Sequence, residues 1–503
     1  MNRRFLRSLH EEHLEEISAL YERRIGLLDD TEIDHDDILG LEARIEAHLD
    51  ALVVGAEPAL ELCAERSLEG DAGELFGALC VFFRQGRQDL FEAALARFAP
   101  EDEEAEAEPP PAADDEDDEP QPPLAELLAA AMAELQVAAA EDEEGESDQG
   151  AEAEDAPREE DDDEEQDDGP TPEQALGDAL AAEGPPSWQS LFERLLEQAP
   201  SPVVAGLARA MAVRGIRMGP KVVAAAERLG PGPAMAELLW SLGRARERTS
   251  PPLLSSWARR LDQDEAAVAT LGLLRFGDPS ILDFVGRVVP THPWALSLLA
   301  IAGGPSVGPV IAARLARAEA TAEEIVAAGL FGDPALVPEL LERLEGEHPE
   351  AAAQALYLVT GAPIFETVIE TVVEADEREL LPNGEPDPRD EVSVERLAQD
   401  PALWRQWWSE HQGAFASGRR HRLGRLASPE ALALTLDAYV LRRPVRQLAA
   451  EELGLRYLPQ RDLDVDQWAR LRHAAHAGVS SLRSDAVIAR ADGMWVFARA
   501  IQR

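Results

Sequence analysis

Phe276-Gly277-Asp278-Pro279 and Phe331-Gly332-Asp333-Pro334 are two copies of one phrase, and the residues after each copy decide the fold. Apolar residues come two, three and six positions after the proline: Ile281, Leu282 and Val285 in the first copy, Leu336, Val337 and Leu340 in the second. That spacing puts all three on one face of a helix. Gly304-Pro305 opens a further copy between them, and its Pro309 stands where Pro338 stands in the second. With Pro220, Pro252 and Pro363 added, the proline anchors lie 32, 27, 26, 29 and 29 residues apart. Each interval holds two short helices, the second stopping at the next Gly-Pro break, because proline suits a helix's first turn and glycine its end. One such pair cannot bury its apolar face, so neighbours must stack. The expectation is an all-α chain with an α-solenoid over 173–375.

Composition agrees with closely packed helices. Of the 503 residues 45% are apolar but only 5% aromatic, and alanine dominates the apolar share, which fits tight helix contacts better than a β-sandwich. The 98 acidic residues against 46 basic ones give a net charge of −52, which argues against a duplex-DNA binder. All the basic residues but Lys221 are arginine. The two cysteines, Cys63 and Cys80, sit in apolar helical patterns and read as reduced, buried thiols. Charged residues interrupt the N-terminal stretch before a signal-peptide core forms. The longest apolar runs, such as 294–302, fall short of the roughly 18 residues of a membrane span. These features predict a cytoplasmic protein that binds neither nucleic acid nor membrane.

Charge divides the chain. Residues 1–100 read as a helical N-terminal domain, with Phe5, Leu6, Leu9, Leu14, Ile17, Leu20 and Tyr21 tracing the first apolar face. Residues 101–172 read as a disordered acidic linker, since 101–170 hold 32 acidic residues and one arginine, too little apolar surface to offset ordering entropy. Leu124, Leu127, Leu128, Ala131, Met132 and Leu135 recur at helical spacing inside it and predict a short helix over 124–138. Residues 376–400 read as a loop. The region 401–503 reverses sign, with 16 arginines and 10 acidic residues, and reads as helical with a further repeat unit over 428–456. Asp492-Gly493 between apolar flanks predicts a hairpin turn there.

Two groups in that C-terminal region are the candidates for partner binding. Arg419, Arg420, Arg422 and Arg425 form one arginine cluster, and Arg442, Arg443 and Arg446 form a second. Trp404, Trp407 and Trp408 share one helical face, where they either cap the repeat core or anchor a partner. The arginines either meet the acidic linker or pair locally with Glu430, Asp437, Glu451 and Glu452.

The spacing and the Asp-Pro-x-x-x-Pro-x-Leu-Leu pattern resemble short bacterial HEAT repeats, and the stretch Pro444 to Gly454 resembles the second helix of such a unit. Leu9 to Glu12, Arg44 to Leu52, Ala355 to Gly361 and Trp407-Trp408 together resemble an uncharacterised bacterial HEAT-like repeat family of myxobacteria and pseudomonads. The resemblance implies a HEAT-like α-solenoid, and through some members' neighbourhood an immunity or accessory role linked to type VI secretion. It implies no catalytic residue.

HEAT-like repeats also occur in enzymes. Di-iron hydroxylases need several His-Glu pairs within the repeats, and here the one such pair, His10-Glu11, lies outside them. A lyase acting on a bound chromophore remains an alternative, without residues to specify it. His473 and His476 lack a third ligand at matching spacing, and no phosphate loop or nucleophile elbow occurs. The sequence therefore predicts no cofactor, no metal and no catalysis, and a protein partner for a scaffold or adaptor.

Overall fold

The structure, a computed structural model, describes residues 3–29, 35–99, 169–217, 220–371 and 391–502. Of the linker expected over 101–172, residues 101–168 and the expected helix over 124–138 lie outside the described residues, while Thr171 and Pro172 cap and open a helix. The described part is mostly helical.

Five helices come first: α1 (Arg3–Asp29), α2 (His35–Val54), α3 (Ala56–Glu69), α4 (Ala72–Gln85) and α5 (Gln88–Ala94). After residue 168 come α6 (Pro172–Glu183), α7 (Gln189–Leu195), α8 (Ser201–Arg214), α9 (Pro220–Ala226), α10 (Pro233–Ala245), α11 (Pro251–Ala258) and α12 (Glu265–Leu274). The next six are α13 (Ser280–Val288), α14 (Trp294–Ala302), α15 (Gly308–Leu315), α16 (Ala322–Phe331), α17 (Val337–Arg343) and α18 (Pro349–Thr360). Local chemistry sets their ends. Asp71 and Glu74 form a capping box on α4, as do Thr321 and Glu324 on α16. Proline occupies the first turn of α6, α8, α10, α11, α15, α17 and α18. Gly86, Gly332 and Gly361 close α4, α16 and α18 with φ of +69°, +76° and +59°, a conformation glycine adopts without a Cβ penalty.

Alternate helices make a row: α4, α6, α8, α10, α12, α14, α16 and α18 each pack on the next. A second layer, α11, α13, α15 and α17, pairs with α12, α14, α16 and α18 respectively. Helix pairs follow Pro220, Pro252, Pro279, Pro305 and Pro334. Residues 1–99 and 169–503 form one compact unit, and one apolar core runs from Leu14 through Phe76 to Leu242 and Leu273. The shared row explains this continuity, since α4, buried along nearly its whole length, packs on α6.

Small residues let the row close up. A Cβ on Gly243 of α10 would come to 2.4 Å from the Gly272 Cα of α12, and one on Gly329 of α16 to 2.5 Å from the Ala355 Cα of α18. Both obstacles are backbone, which cannot swing aside. Gly243→Val is therefore expected to cost about 1–3 kcal/mol in urea unfolding; an unchanged midpoint would mean the helices stand further apart.

After α18 the reading changes. Residues 391–397, expected as loop, are strand β2 (Glu391–Leu397), paired antiparallel with β1 (Phe365–Thr371) in register Phe365↔Leu397. Pro363 opens this strand and no further helix pair, so the row stops at Thr360. The reason is local: Thr367, Val368, Ile369 and Thr371 are β-branched and favour the extended chain.

The C-terminal region then holds α19 (Pro401–His411), β3 (His421–Arg422), β4 (Arg425–Leu426), α20 (Pro429–Leu436), α21 (Arg443–Tyr457), α22 (Ala469–Ser481), β5 (Val496–Phe497) and β6 (Ala500–Ile501). The helix pair expected over 428–456 is present as α20 and α21, but α21 packs on α14 and does not extend the row beyond α18. The expected hairpin is displaced. Ile488–Arg490 is a 3-10 turn, and the hairpin is β5–β6, turning at Ala498 and Arg499. Gly493 is used otherwise: its N–H donates to Ala427 O and its carbonyl accepts from Arg420 N, which ties it to β3–β4.

Candidate functional site

The two arginine clusters do not form one exposed face. Arg420, Arg422 and Arg446 are buried, which corrects their reading as partner-binding residues. Arg420 Nε donates to Phe331 O at 2.8 Å and its Nη2 to Leu330 O at 3.0 Å, while Arg422 Nη2 donates to Leu330 O at 2.6 Å. These are the free carbonyls at the carboxyl end of α16, where a cation also meets the negative end of the helix dipole.

The same device recurs along the row. Arg456 of α21 donates to Ala300 O and Gly303 O at the end of α14. Arg246 donates to Arg275 O at the end of α12, Arg214 and Arg470 to Ala182 O in α6, and Arg446 to Leu28 O in α1. Backbone does the same for α18, where Leu423 N and Gly424 N donate to Leu358 O and Val359 O. The segment from Arg420 to Gln502 is thereby laced to the carboxyl ends of α6, α14, α16 and α18 in the row and of α1 beside it. Arginine suits this work because its planar fork reaches several carbonyls at once and stays charged when buried, which gives the near-absence of lysine a structural meaning.

Three of these guanidiniums share one carboxylate. Glu452, fully buried, accepts from Arg420, from Arg422 at 2.5 Å and from Arg456 at 2.7 Å. Burial works to raise the Glu452 carboxyl, but the three cations outweigh it and hold it below its ordinary range. The cations outnumber the anion, and burial, with Arg420 alongside, brings Arg456 down to about 10. The other acidic candidates do not pair with either arginine cluster: Glu451 holds Arg275, Glu430 holds Arg483, and Asp437 holds Arg472.

The remaining candidate residues are more accessible. Arg425 is exposed on β4. Arg442 pairs with Glu350 at 2.6 Å, Arg443 with Asp466 at 2.8 Å, and Arg419 reaches Asp492 O at 3.4 Å. Among the tryptophans, Trp404 is buried and donates to Ala398 O at 2.6 Å, so it belongs to the core. Trp407 and Trp408 are half-buried. Trp407 stacks on His411 at 4.3 Å between centroids, and Phe415 lies 5.1 Å from Trp408 and 6.2 Å from Trp407. With Leu403, 45% exposed, they make an aromatic ledge on α19.

A cavity of about 770 Å³ opens elsewhere, at the carboxyl ends of α8 and α10. Arg214 and Arg217 line it from α8 and the residues after it, Arg244, Arg246 and Arg248 from α10, and Arg461 from the loop before α22. Its two carboxylates are outnumbered. Glu247 accepts from Thr249 N and Oγ1, and Asp462 accepts from Arg275 and lies 3.8 Å from Arg246. Burial lowers the Arg214 and Arg246 guanidiniums from their ordinary values, with Arg470 and Arg461 adding to this at Arg214 and Arg275, Arg499 and Arg244 at Arg246. Arg217, Arg248 and Arg461 are exposed and make no side-chain hydrogen bond or ion pair with any described residue.

Sequence reasoning missed this site because its arginines come from three distant segments. One local signal was present, the alternation Arg244, Arg246, Arg248 at the end of an apolar helix. Among the described residues no three His, Cys, Asp or Glu side chains converge as metal ligands, and no helix is long and apolar enough to cross a membrane. Cys63 and Cys80 are buried and unbridged, and burial pushes the Cys63 thiol up to about 12. No family model, no curated protein and no solved structure matches this chain.

Proposed function

We propose that the chain is a non-catalytic scaffold or adaptor, built as a HEAT-like α-solenoid, and that a protein partner docks on the ledge of α19. The observation that carries this reading is the ledge itself: Leu403, Trp407, Trp408 and Phe415 present contiguous apolar and aromatic surface, the kind that supplies binding hot spots. The row of helix pairs supports it as a rigid platform, because stacked units hold such a surface at a fixed place. Arg425, exposed nearby on the strand that pairs with β3, adds charge at the rim.

The test is purification of the tagged intact chain and of its Trp407→Ala/Trp408→Ala variant from native cells, with stoichiometry measured. The expected result is one stoichiometric protein held by the intact chain and lost from the variant, at an unchanged thermal midpoint. Equal recovery on both would remove the ledge from the reading, and recovery of no protein would remove the scaffold.

A further inference from the structure

The geometry points to a second binding site, separate from the ledge: the arginine-lined cavity takes a small polyanion, a molecule bearing two or more oxyanion groups. Its volume, about 770 Å³, lies in the range of small-molecule sites and well below what a folded partner needs. Four properties converge on the ligand's charge.

First, six arginines line the cavity against two carboxylates, Glu247 and Asp462, and Asp462 is shared between Arg275 and Arg246, so positive charge stays in excess. Second, the cations divide in two. Arg244 and Arg246 are held in place, by Leu463 O and Asp464 for one and by Arg275 O and Asp462 for the other. Arg217, Arg248 and Arg461 are unpartnered among the described residues and stand where a ligand enters. Third, burial lowers the Arg214 and Arg246 guanidiniums even with Glu183 and Asp462 acting to hold them up; a further anion among them would offset that burial. Fourth, the site contradicts its host. A chain of net charge −52 repels anions at long range, so a pocket that gathers unpaired cations has a local reason to do so.

Arg246 adds a detail. It closes α10 in the left-handed region at φ +50°, where α8, α16 and α18 use glycine. An arginine there lies in a backbone region that a Cβ disfavours, and its guanidinium lines the cavity.

Phosphate and carboxylate share the chemistry an arginine fork recognises, two oxygens accepting two parallel N–H groups. The cavity lining includes no tryptophan, tyrosine, phenylalanine or histidine, so recognition rests on the anionic groups and not on a stacked ring.

The experiment is calorimetric titration of the intact chain with tripolyphosphate and with citrate at about 0.15 M salt, where screening confines exposed charges to roughly 8 Å. Two variants accompany it. Arg217→Gln/Arg248→Gln/Arg461→Gln empties the entrance of unpaired cations. Arg259→Gln/Arg287→Gln/Arg490→Gln removes the same charge from exposed positions elsewhere. The expected result is saturable one-site binding of at least one probe, weakened about tenfold or more by the first variant and unchanged by the second, with both variants unfolding like the intact chain. The tighter probe names the source, phosphate or carboxylate. No saturable binding of either probe, or equal weakening by both variants, would overturn the site. If the entrance variant unfolds early, Arg248→Gln alone serves, and unaltered binding by it counts against the proposal.

Discussion

Glu452→Gln is expected to destabilise the folded chain by about 3–5 kcal/mol, the cost of leaving buried charge uncompensated. Glutamine keeps the shape and removes the one carboxylate that, among the described residues, pairs with Arg420, Arg422 and Arg456, all fully buried. The carbonyls of Leu330, Phe331, Ala300 and Gly303 remain, but their partial charges do not replace a carboxylate. Glu430→Gln provides the contrast. It breaks a bidentate contact with Arg483, but both side chains are about a third exposed, so water takes up the loss and about 1 kcal/mol or less is expected. Urea unfolding of the two variants measures the difference, and equal effects would mean that the Glu452 site is wet.

The same carboxylate sets a pH dependence. Glu452 and Asp462 are held below their ordinary values of 4.5 and 3.8 in the folded state. Each stabilises the fold fully above its ordinary value, and that contribution disappears as pH falls through the lower folded-state value. Stability should therefore fall from about pH 5 downward, and less steeply in Glu452→Gln, where one of the two groups no longer titrates.

Leu340→Ala is the second large effect, about 2–5 kcal/mol. Leu340 is fully buried in α17, within the core that joins α16 and α18. Truncation leaves a void between helices whose backbones are already held at small-residue contacts and cannot close upon it. Leu403→Ala, at 45% exposure, should cost no more than about 0.5 kcal/mol. Thermal unfolding checks both; a small loss at Leu340 would break the repeat register on which the helix assignment rests.

The helix pairs were legible because proline and glycine mark helix ends through backbone chemistry alone, and Pro279, Pro305 and Pro334 do so in sequence order. Pro363 misled for the same reason: a proline starts a strand as well as a helix, and the β-branched run after it decides which. The arginine clusters were visible as charge but not as interior, because a buried cation looks the same in sequence as a solvated one until its carbonyl partners are known. Arg420 and Leu330 meet across 90 positions of the chain, and nothing local to either announces the pair. The cavity's cations are likewise scattered from Arg214 to Arg461.

The arginine-bearing C-terminal segment ties helices of the row together, and the expected consequence is that they unfold as one cooperative body. A row of repeats held only by its neighbours can come apart in pieces. Here Arg24, Arg275 and Arg446 tie α1 and α12 to residues 441–466. Hydrogen exchange read by mass spectrometry across a urea series tests this most directly. The account predicts that α4 and α21 lose protection at one common urea concentration, and that Glu452→Gln moves both to the same lower value. Separate midpoints, with α4 unmoved by the substitution, would contradict it.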